Sequence, residues 1–372
     1  MPSHFRKSES SPSRRAYPRR GRKLTRPEDE PAAEKVREDL RGMVGKGPIL
    51  LIKDFAAQQL RGPVFNLWTS AKVHLSAESD LPYNRAMAKE VPLKGKTALV
   101  TGAASGIGRQ VAWDLFSREG CRLILVDRNQ NGIEQLAEQL LGQSSRKDNS
   151  MTIETIACDV SLTQEMDKLQ HITTLDILVN NAGLTFNGTF ESSQIEDFQR
   201  LLDTNLMGPV RVTKTLLPAL LKGSSPTIVN LASLAGLIGA PGMCPYSTSK
   251  FGLIGFSEAL SAELHGRVFV SMVCPSFVKT EIAHHASFSS SASDKDKKEF
   301  IAQMDDIIRK FGSSTQKVSR KIIRGIKRRE RLVVINPEAN VLYFLKRVAP
   351  SLTDSVVSKA YGKLLTRGVF RS

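Results

Sequence analysis

The apolar positions of this chain fall into two rhythms. Between residues 93 and 280 short apolar runs recur: TALV, RLILVD, TIETIACD, DILVNNA, TIVNLAS and VFVSMVCP. Each is continuous rather than alternating, as expected for strands buried on both faces. Between them lie stretches with helical spacing of apolar residues, such as RQVAWDLFSREG. Strands that alternate with helices predict an α/β fold, a doubly wound parallel sheet in a three-layer α/β/α sandwich with right-handed crossovers. The connection between Asp159 and Asp176 has room for one helix.

Outside that region the rhythm changes. IAHHASFSSSASDKDKKEF, after Thr280, is polar and serine-rich, and KVSRKIIRGIKRRERLVVIN reads as a basic helix leading to a last strand. NVLYFLKRVAPSLTDSVVSKAYGKLLTRGVF then places apolar residues on one helical face and Lys/Arg on the other. The first thirty residues are rich in Arg, Ser and Pro, with too little apolar content to fold. From Asp39 to Leu75 apolar and basic residues alternate and predict one or two amphipathic helices. The expected organisation is a disordered basic tail (1–30), an amphipathic helical extension (31–92), a main domain (93–336) and a basic amphipathic C-terminal segment (337–372).

Composition adds a contrast between these parts. The net charge is +16, yet residues 1–27 carry nine Lys/Arg against one acid and residues 301–372 sixteen against five, so the middle is slightly acidic. The four cysteines, Cys121, Cys158, Cys244 and Cys274, show no C-x-x-C spacing and read as reduced core residues, with Cys244 alone expected near the reactive end of the fold. The six histidines form no metal-like set.

Chemistry enters with the first strand. KTALV runs straight into TGAASGIG, Thr101 to Gly108, and then into a helical pattern. A strand, a glycine loop and a helix make a dinucleotide cradle of the Rossmann type, because backbone can approach a pyrophosphate and the helix N-terminus offers it free N–H groups. Asp127 ends the second strand nineteen residues past Gly108. A carboxylate there accepts hydrogen bonds from ribose hydroxyls and repels a 2'-phosphate, which favours NAD over NADP. The guanidinium of Arg128 pulls the other way. Further along, Tyr246 and Lys250 stand four residues apart in YSTSK, thirteen residues after Ser233. That spacing stacks phenol and ammonium on one helical face, where the cation is expected to favour the phenolate and make Tyr246 a proton donor and acceptor at ordinary pH. Singly, each of these residues has a bland reading as a packed aromatic, a solvated lysine or a strand-end cap.

Taken in order, these motifs resemble the short-chain dehydrogenase/reductase family in its single-domain form, from about Leu93 to Thr280. TGAASGIG resembles the cofactor loop, with Gly102, Ser105, Gly106, Ile107 and Gly108 around the pyrophosphate, and Asp127 the ribose carboxylate. CDV resembles the pair that contacts adenine, Asp159 and Val160. NNAG resembles the turn in which Asn181 flanks the cofactor. The resemblance implies a tetrad of Asn205, Ser233, Tyr246 and Lys250, in which Tyr246 moves the proton, Ser233 stabilises the substrate oxygen, Lys250 holds the nicotinamide ribose and Asn205 anchors a water. PSFVKT resembles the segment over the nicotinamide, with Val278 and Thr280 beside it, and a substrate lid at about 281–315. Ser276 departs from the family's usual glycine.

The implied activity is hydride transfer between a nicotinamide cofactor and an alcohol or ketone, with a lipophilic substrate such as a sterol, retinoid or long-chain oxo compound. Two other readings stay open: an NADP-dependent 3-oxoacyl reductase, and a non-catalytic NAD-binding sensor. No run reaches the length needed to span a bilayer, and no signal peptide is visible. A cytoplasmic protein is expected. A basic amphipathic C-terminus can lie on an anionic membrane surface or pack on its own domain, and organellar targeting by the N-terminal tail stays open. No nucleic acid is expected as partner, since the basic segments lack interleaved aromatics. The resemblance implies a homodimer or homotetramer.

Overall fold

The computed structural model describes residues 90–143, 152–280, 282, 286–288 and 293–366. The expected tail at 1–30 and nearly all of the extension at 31–92 lie outside the described residues. The sheet has seven strands: β1 (Thr97–Thr101), β2 (Arg122–Asp127), β3 (Ile153–Ala157), β4 (Ile177–Asn180), β6 (Thr227–Leu231), β7 (Phe269–Pro275) and β9 (Leu332–Ile335). A separate two-stranded pair joins β5 (Phe186–Asn187) to β8 (Ser287–Phe288). The large sheet runs β3-β2-β1-β4-β6-β7-β9 and every pairing is parallel. The doubly wound Rossmann architecture is therefore observed, with order reversing between β1 and β4, where such folds open a crevice.

The strands are apolar without alternation because helices cover both faces. On one face lie α1 (Gly106–Ser117), α2 (Gln130–Gln143) and α7 (Thr315–Arg328), with Val111, Leu115, Ile133, Leu136, Val318, Ile322 and Ile326 packed in one cluster. The other face is covered by a 3-10 turn (Thr163–Leu169), α4 (Gly208–Leu220) and α5 (Cys244–Glu263), through Leu169, Val212, Leu216 and Leu253. The space between Asp159 and Asp176 thus holds a 3-10 turn rather than an α-helix.

The basic helix expected after residue 315 forms as α7, and its periodicity explains its place. Val318, Ile322 and Ile326 recur every fourth residue and are buried, while Lys317, Arg320 and Arg324 face outward. Ser314 caps its N-terminus by accepting from the Lys317 N–H at 3.3 Å, and Ser319 Oγ donates to buried Asp114 on α1 at 2.7 Å. An exposed pair such as Arg328–Glu90 contributes about 0–1 kcal/mol, against about 1.5–3 kcal/mol for one buried leucine or isoleucine. Apolar burial therefore docks this helix. Three further helices follow the pattern at the C-terminal side: α6 (Asp294–Phe311) before α7, and α8 (Pro337–Val348) and α9 (Pro350–Thr366) after β9. Between α4 and its predecessor α3 (Ile195–Leu202) the helix is widened by a π-turn, Asp203–Met207.

At the N-terminal ends of the strands one carboxylate stitches three of them together. Asp176, just before β4, accepts from the Thr97 N–H at 2.9 Å, the Ser224 N–H at 2.8 Å and Ser224 Oγ at 3.1 Å, with Lys96 Nζ at 3.5 Å. Burial alone would raise its carboxyl, but these donors and Lys96 hold it below the usual value. A lowered folded pKa supplies stability at neutral pH that is lost as pH falls through the folded value. Asp176→Asn is expected to lower the melting temperature at pH 7 and to flatten the fall of stability below about pH 4. Thermal unfolding at a series of pH values checks this, and an unchanged acid limb in the variant would refute it.

Candidate active site

The crevice at the β1/β4 switch is built on a close approach of backbone. β1 ends at Thr101 and turns into α1 through the glycine loop. A Cβ placed on Gly108 would stand 2.2 Å from Gly102 O and 2.4 Å from Asn181 Nδ2, so any side chain there would force the loop apart. The Asn181 carboxamide donates to Thr101 O at 2.9 Å and Gly102 O at 3.1 Å, and its own N–H donates to Thr101 Oγ1 at 3.0 Å. Asn181 thus holds the loop from behind. Ser105 is the N-cap residue of α1, exposed, with no side-chain capping bond. Ile107 is half-buried against the core.

Asp127 sits at the end of β2 and is tied to the same loop: Oδ2 accepts from the Ala104 N–H at 3.0 Å and Oδ1 from the Asn129 N–H at 2.9 Å. Arg128 beside it is exposed. Asp159 accepts from Ser161 N–H and Oγ at 2.9 and 2.7 Å, and buried Val160 packs where α4 begins, against Gly208. These residues line one end of the sheet, as a group able to cradle a dinucleotide must.

The second group lies on the β6 and β7 side. Ser233 follows β6 and caps a 3-10 turn (Leu234–Gly236), accepting from the Ala235 N–H at 3.1 Å, and it lies near enough to the Tyr246 phenol to oppose the effect of burial on it. Tyr246 and Lys250 occupy successive turns of α5, started by Pro245. Lys250 is buried and its Nζ donates to Leu231 O at 2.7 Å, 5.8 Å from the centre of the Tyr246 ring. Asn205 lies in the π-turn, wholly buried. Its Nδ2 donates to Leu184 O and Ser249 Oγ, both at 2.9 Å, and its Oδ1 accepts from the Leu184 N–H at 2.7 Å. Ser249 Oγ in turn donates to Tyr246 O at 2.7 Å, which links Asn205 to the tyrosine's helix.

The end of β7 returns to the glycine loop. Thr280 Cγ2 would lie 3.5 Å from a Cβ on Gly106, so PSFVKT covers the loop, while Val278 is buried and bridges Ser313. Ser276 has no positive φ, so the position makes no demand for glycine. Two site residues escaped the sequence reading. Cys274, in β7, is buried and near enough to Lys250 and Tyr246 to interact with them electrostatically. Cys244 instead lines a shallow depression with Ala240, Thr248 and Phe251. Asn336, at the end of β9, is the other: buried with φ +83° and bonded to the base of the excursion after β7.

A family model for short chain dehydrogenases matches residues 96–289. The chain belongs to the short-chain dehydrogenase/reductase family of oxidoreductases. It is 34% identical over 274 residues to 11-beta-hydroxysteroid dehydrogenase 1A of Arabidopsis thaliana, covering 70% of this chain and 74% of that one. Dehydrogenase/reductase SDR family member 7B of Xenopus tropicalis is 28% identical over 72% of this chain and 85% of its own. Among solved structures, a short-chain dehydrogenase/reductase from Burkholderia phymatum in complex with NAD superposes with a TM-score of 0.63 at 25% identity, covering 70% of this chain and 96% of that one.

In this family member the electrostatics of the pair differ from the expectation. Burial pushes the Tyr246 phenol up, with Ser233 opposing, and burial lowers the Lys250 ammonium to about 8. Burial outweighs the opposing effect of Ser233, so in this arrangement the tyrosine holds its proton. For Lys250 the sign is as follows. Its folded value lies below the unfolded one of 10.5, so a penalty for burying charge is present below pH 8 and disappears as pH rises to the unfolded value. Lys250→Met should therefore stabilise the cofactor-free protein at pH 7, with the difference from wild type shrinking towards pH 10. The thiols of Cys121 and Cys158, raised to about 12 and about 11 by burial, have no part in the Lys250 site and affect both proteins alike. Paired melting curves across this range test the assignment, and a constant difference would contradict it.

Proposed function

We propose that this protein transfers hydride between NAD and a lipophilic alcohol or ketone. The observation that carries this reading is the convergence of Ser233, Tyr246 and buried Lys250 at one end of the sheet with a glycine loop covered by Thr280. A bound nicotinamide supplies the hydride acceptor or donor. Gly108 and Asn181 form a cradle that only bare backbone allows, and the N-terminus of α1 would offer a pyrophosphate the N–H groups that the first helical turn leaves without intrahelical partners. Tyr246 holds a proton at its phenol and gives it to the substrate oxygen on reduction, taking it back on oxidation. Ser233 donates to the same oxygen, where charge develops. Lys250 binds the nicotinamide ribose and, charged, lowers the cost of the phenolate. Asn205 holds the π-turn to Leu184 and so fixes the wall beside Lys250, and it anchors a water there.

The preference for NAD is supported by Asp127, whose carboxylate is fixed beside the loop where a 2'-phosphate would have to sit. The NAD named with the Burkholderia phymatum structure agrees. The hydroxysteroid dehydrogenase relative supports a sterol-like or other lipophilic substrate. Peripheral contact with anionic membrane is supported by α8 and α9, which expose Phe344, Val348, Leu352 and Val356 among Lys346, Arg347 and Lys359. Among the described residues no helix is long and apolar enough to cross a bilayer.

Tyr246→Phe is expected to bind NADH as wild type does and to lose about 10²–10⁴-fold in turnover of sterol, retinoid and long-chain ketones. Turnover undiminished in this variant would sink the reading. Asp127→Ala should shift the ratio of NADH to NADPH affinity towards NADPH by about tenfold, since removal of one carboxylate repulsion is worth about 1.4 kcal/mol. Titration of intrinsic nicotinamide fluorescence reports both affinities.

A further inference from the structure

The chain leaves the sheet at Pro275 and does not rejoin a covering helix until Thr315. The two ends of this excursion meet again at its base. The Lys279 N–H donates to Ser313 O at 2.9 Å and the Ser313 N–H donates to Phe277 O at 3.0 Å. Two backbone bonds across more than thirty residues of chain are a weak closure. A third element reinforces them.

Asn336 ends β9, the strand beside β7, and its side chain reaches both limbs of the base. Oδ1 accepts from Ser313 Oγ at 2.9 Å, while Nδ2 points at Phe277 O at 3.4 Å and Phe311 O at 3.5 Å. The first is a full hydrogen bond and the other two are long. The residue is 2% exposed and sits at φ +83°, a conformation that is costly for a side-chain-bearing residue. Its own carbonyl accepts from Asn340 Nδ2 at 2.8 Å, which fixes the backbone in that state. Three residues beyond Phe277, Thr280 stands over Gly106 in the cofactor loop.

We infer that Asn336 is a positioning residue: its carboxamide clips together the two ends of the excursion between β7 and α7 and so sets the place of Val278–Thr280 over the glycine loop. It touches neither substrate nor cofactor. The inference rests on the proposed use of that loop for NAD, and it acts on affinity rather than on the proton or hydride step.

The competing account is that Asn336 serves only as a turn residue tolerant of positive φ. Asn336→Gly separates the two, because glycine adopts φ +83° without strain while the side chain that carries the carboxamide is removed. In the full-length protein, hydrogen exchange without cofactor should rise at the amides of Lys279 and Ser313 and stay unchanged in β1, β4 and β6. NADH binding should weaken about tenfold, or about 1.4 kcal/mol, with KM for substrate raised more than kcat is lowered. Ser313→Ala should act in the same direction, and the double variant should lose less than the sum of the singles, since both remove one contact. Unchanged exchange at Lys279 and Ser313 in Asn336→Gly, or full additivity with Ser313→Ala, overturns the clip. If wild-type protein fails to bind NADH while the exchange responds as expected, the clip stands and the assignment of the cofactor fails.

Discussion

The hydroxyl of Thr101 and the carboxamide of Asn181 form the knot on which the rest of the site depends. Thr101 Oγ1 accepts from the N–H groups of both Asn181 and Ala182, at 3.0 and 3.1 Å, while Asn181 Nδ2 donates back to Thr101 O and Gly102 O. Two parallel strands that run side by side normally diverge beyond their last ladder bond. Here side chains continue the pairing for one more turn, past the edge of the sheet, and hold the glycine loop against the turn after β4. The loop cannot relax towards a tighter turn, because Gly108 already lies against Gly102 O. A crevice thereby persists at the place where the strand order reverses, and the N-terminus of α1 points into it. Asp127 extends the same knot sideways through Ala104, so the part of the loop nearest β2 is fixed by a carboxylate and the part nearest β4 by an amide.

Much of this was legible in the chain before any coordinates. Parallel strands covered on both faces must be apolar throughout, so RLILVD and VFVSMVCP announce themselves, and a glycine loop between strand and helix has few other uses. What stayed hidden depends on partners distant in sequence. β5 and β8 are two residues each and exist only because Phe186–Asn187 and Ser287–Phe288 meet across about a hundred residues. The π-turn at Asp203–Met207 adds one residue to a helical turn and leaves no mark on apolar spacing, yet it aims Asn205 at Leu184. Asn336 looks like any polar residue before a proline. The acidity of Tyr246 departs from what spacing predicts for a related reason: spacing shows that a lysine is near, but only the fold shows that both groups are buried and that Lys250 Nζ is engaged by Leu231 O.

Charge along the C-terminal third shows how periodicity overrules composition. α7 carries six Lys/Arg in fourteen residues and the α8–α9 pair four in twenty-nine, and each has an apolar face. In α7 that face is a full stripe at intervals of four, which buries against α1, and its cations are drawn into pairs at the domain surface, Lys327 with Glu119 and Arg328 with Glu90. In α8 and α9 the apolar positions are split. Ala339 and Thr353 turn inward, while Phe344, Val348, Leu352 and Val356 stay outside. Apolar spacing, rather than basic content, thus decides which helix docks on the domain and which keeps apolar side chains at the surface.

The glycine of NNAG is explained by the side chains of Asn205 and Lys250 rather than by its turn. Gly183 lacks positive φ, so backbone conformation does not require it. A Cβ there would instead stand 3.2 Å from Asn205 Oδ1 and 3.5 Å from Lys250 Nζ. The first distance is short enough to press on the carboxamide that accepts from Leu184, and the second is contact with an ammonium whose burial is already costly. Bare backbone at residue 183 therefore serves Lys250 as bare backbone at residue 108 serves the loop. At both ends of the crevice, room for a partner is made by the removal of one carbon atom.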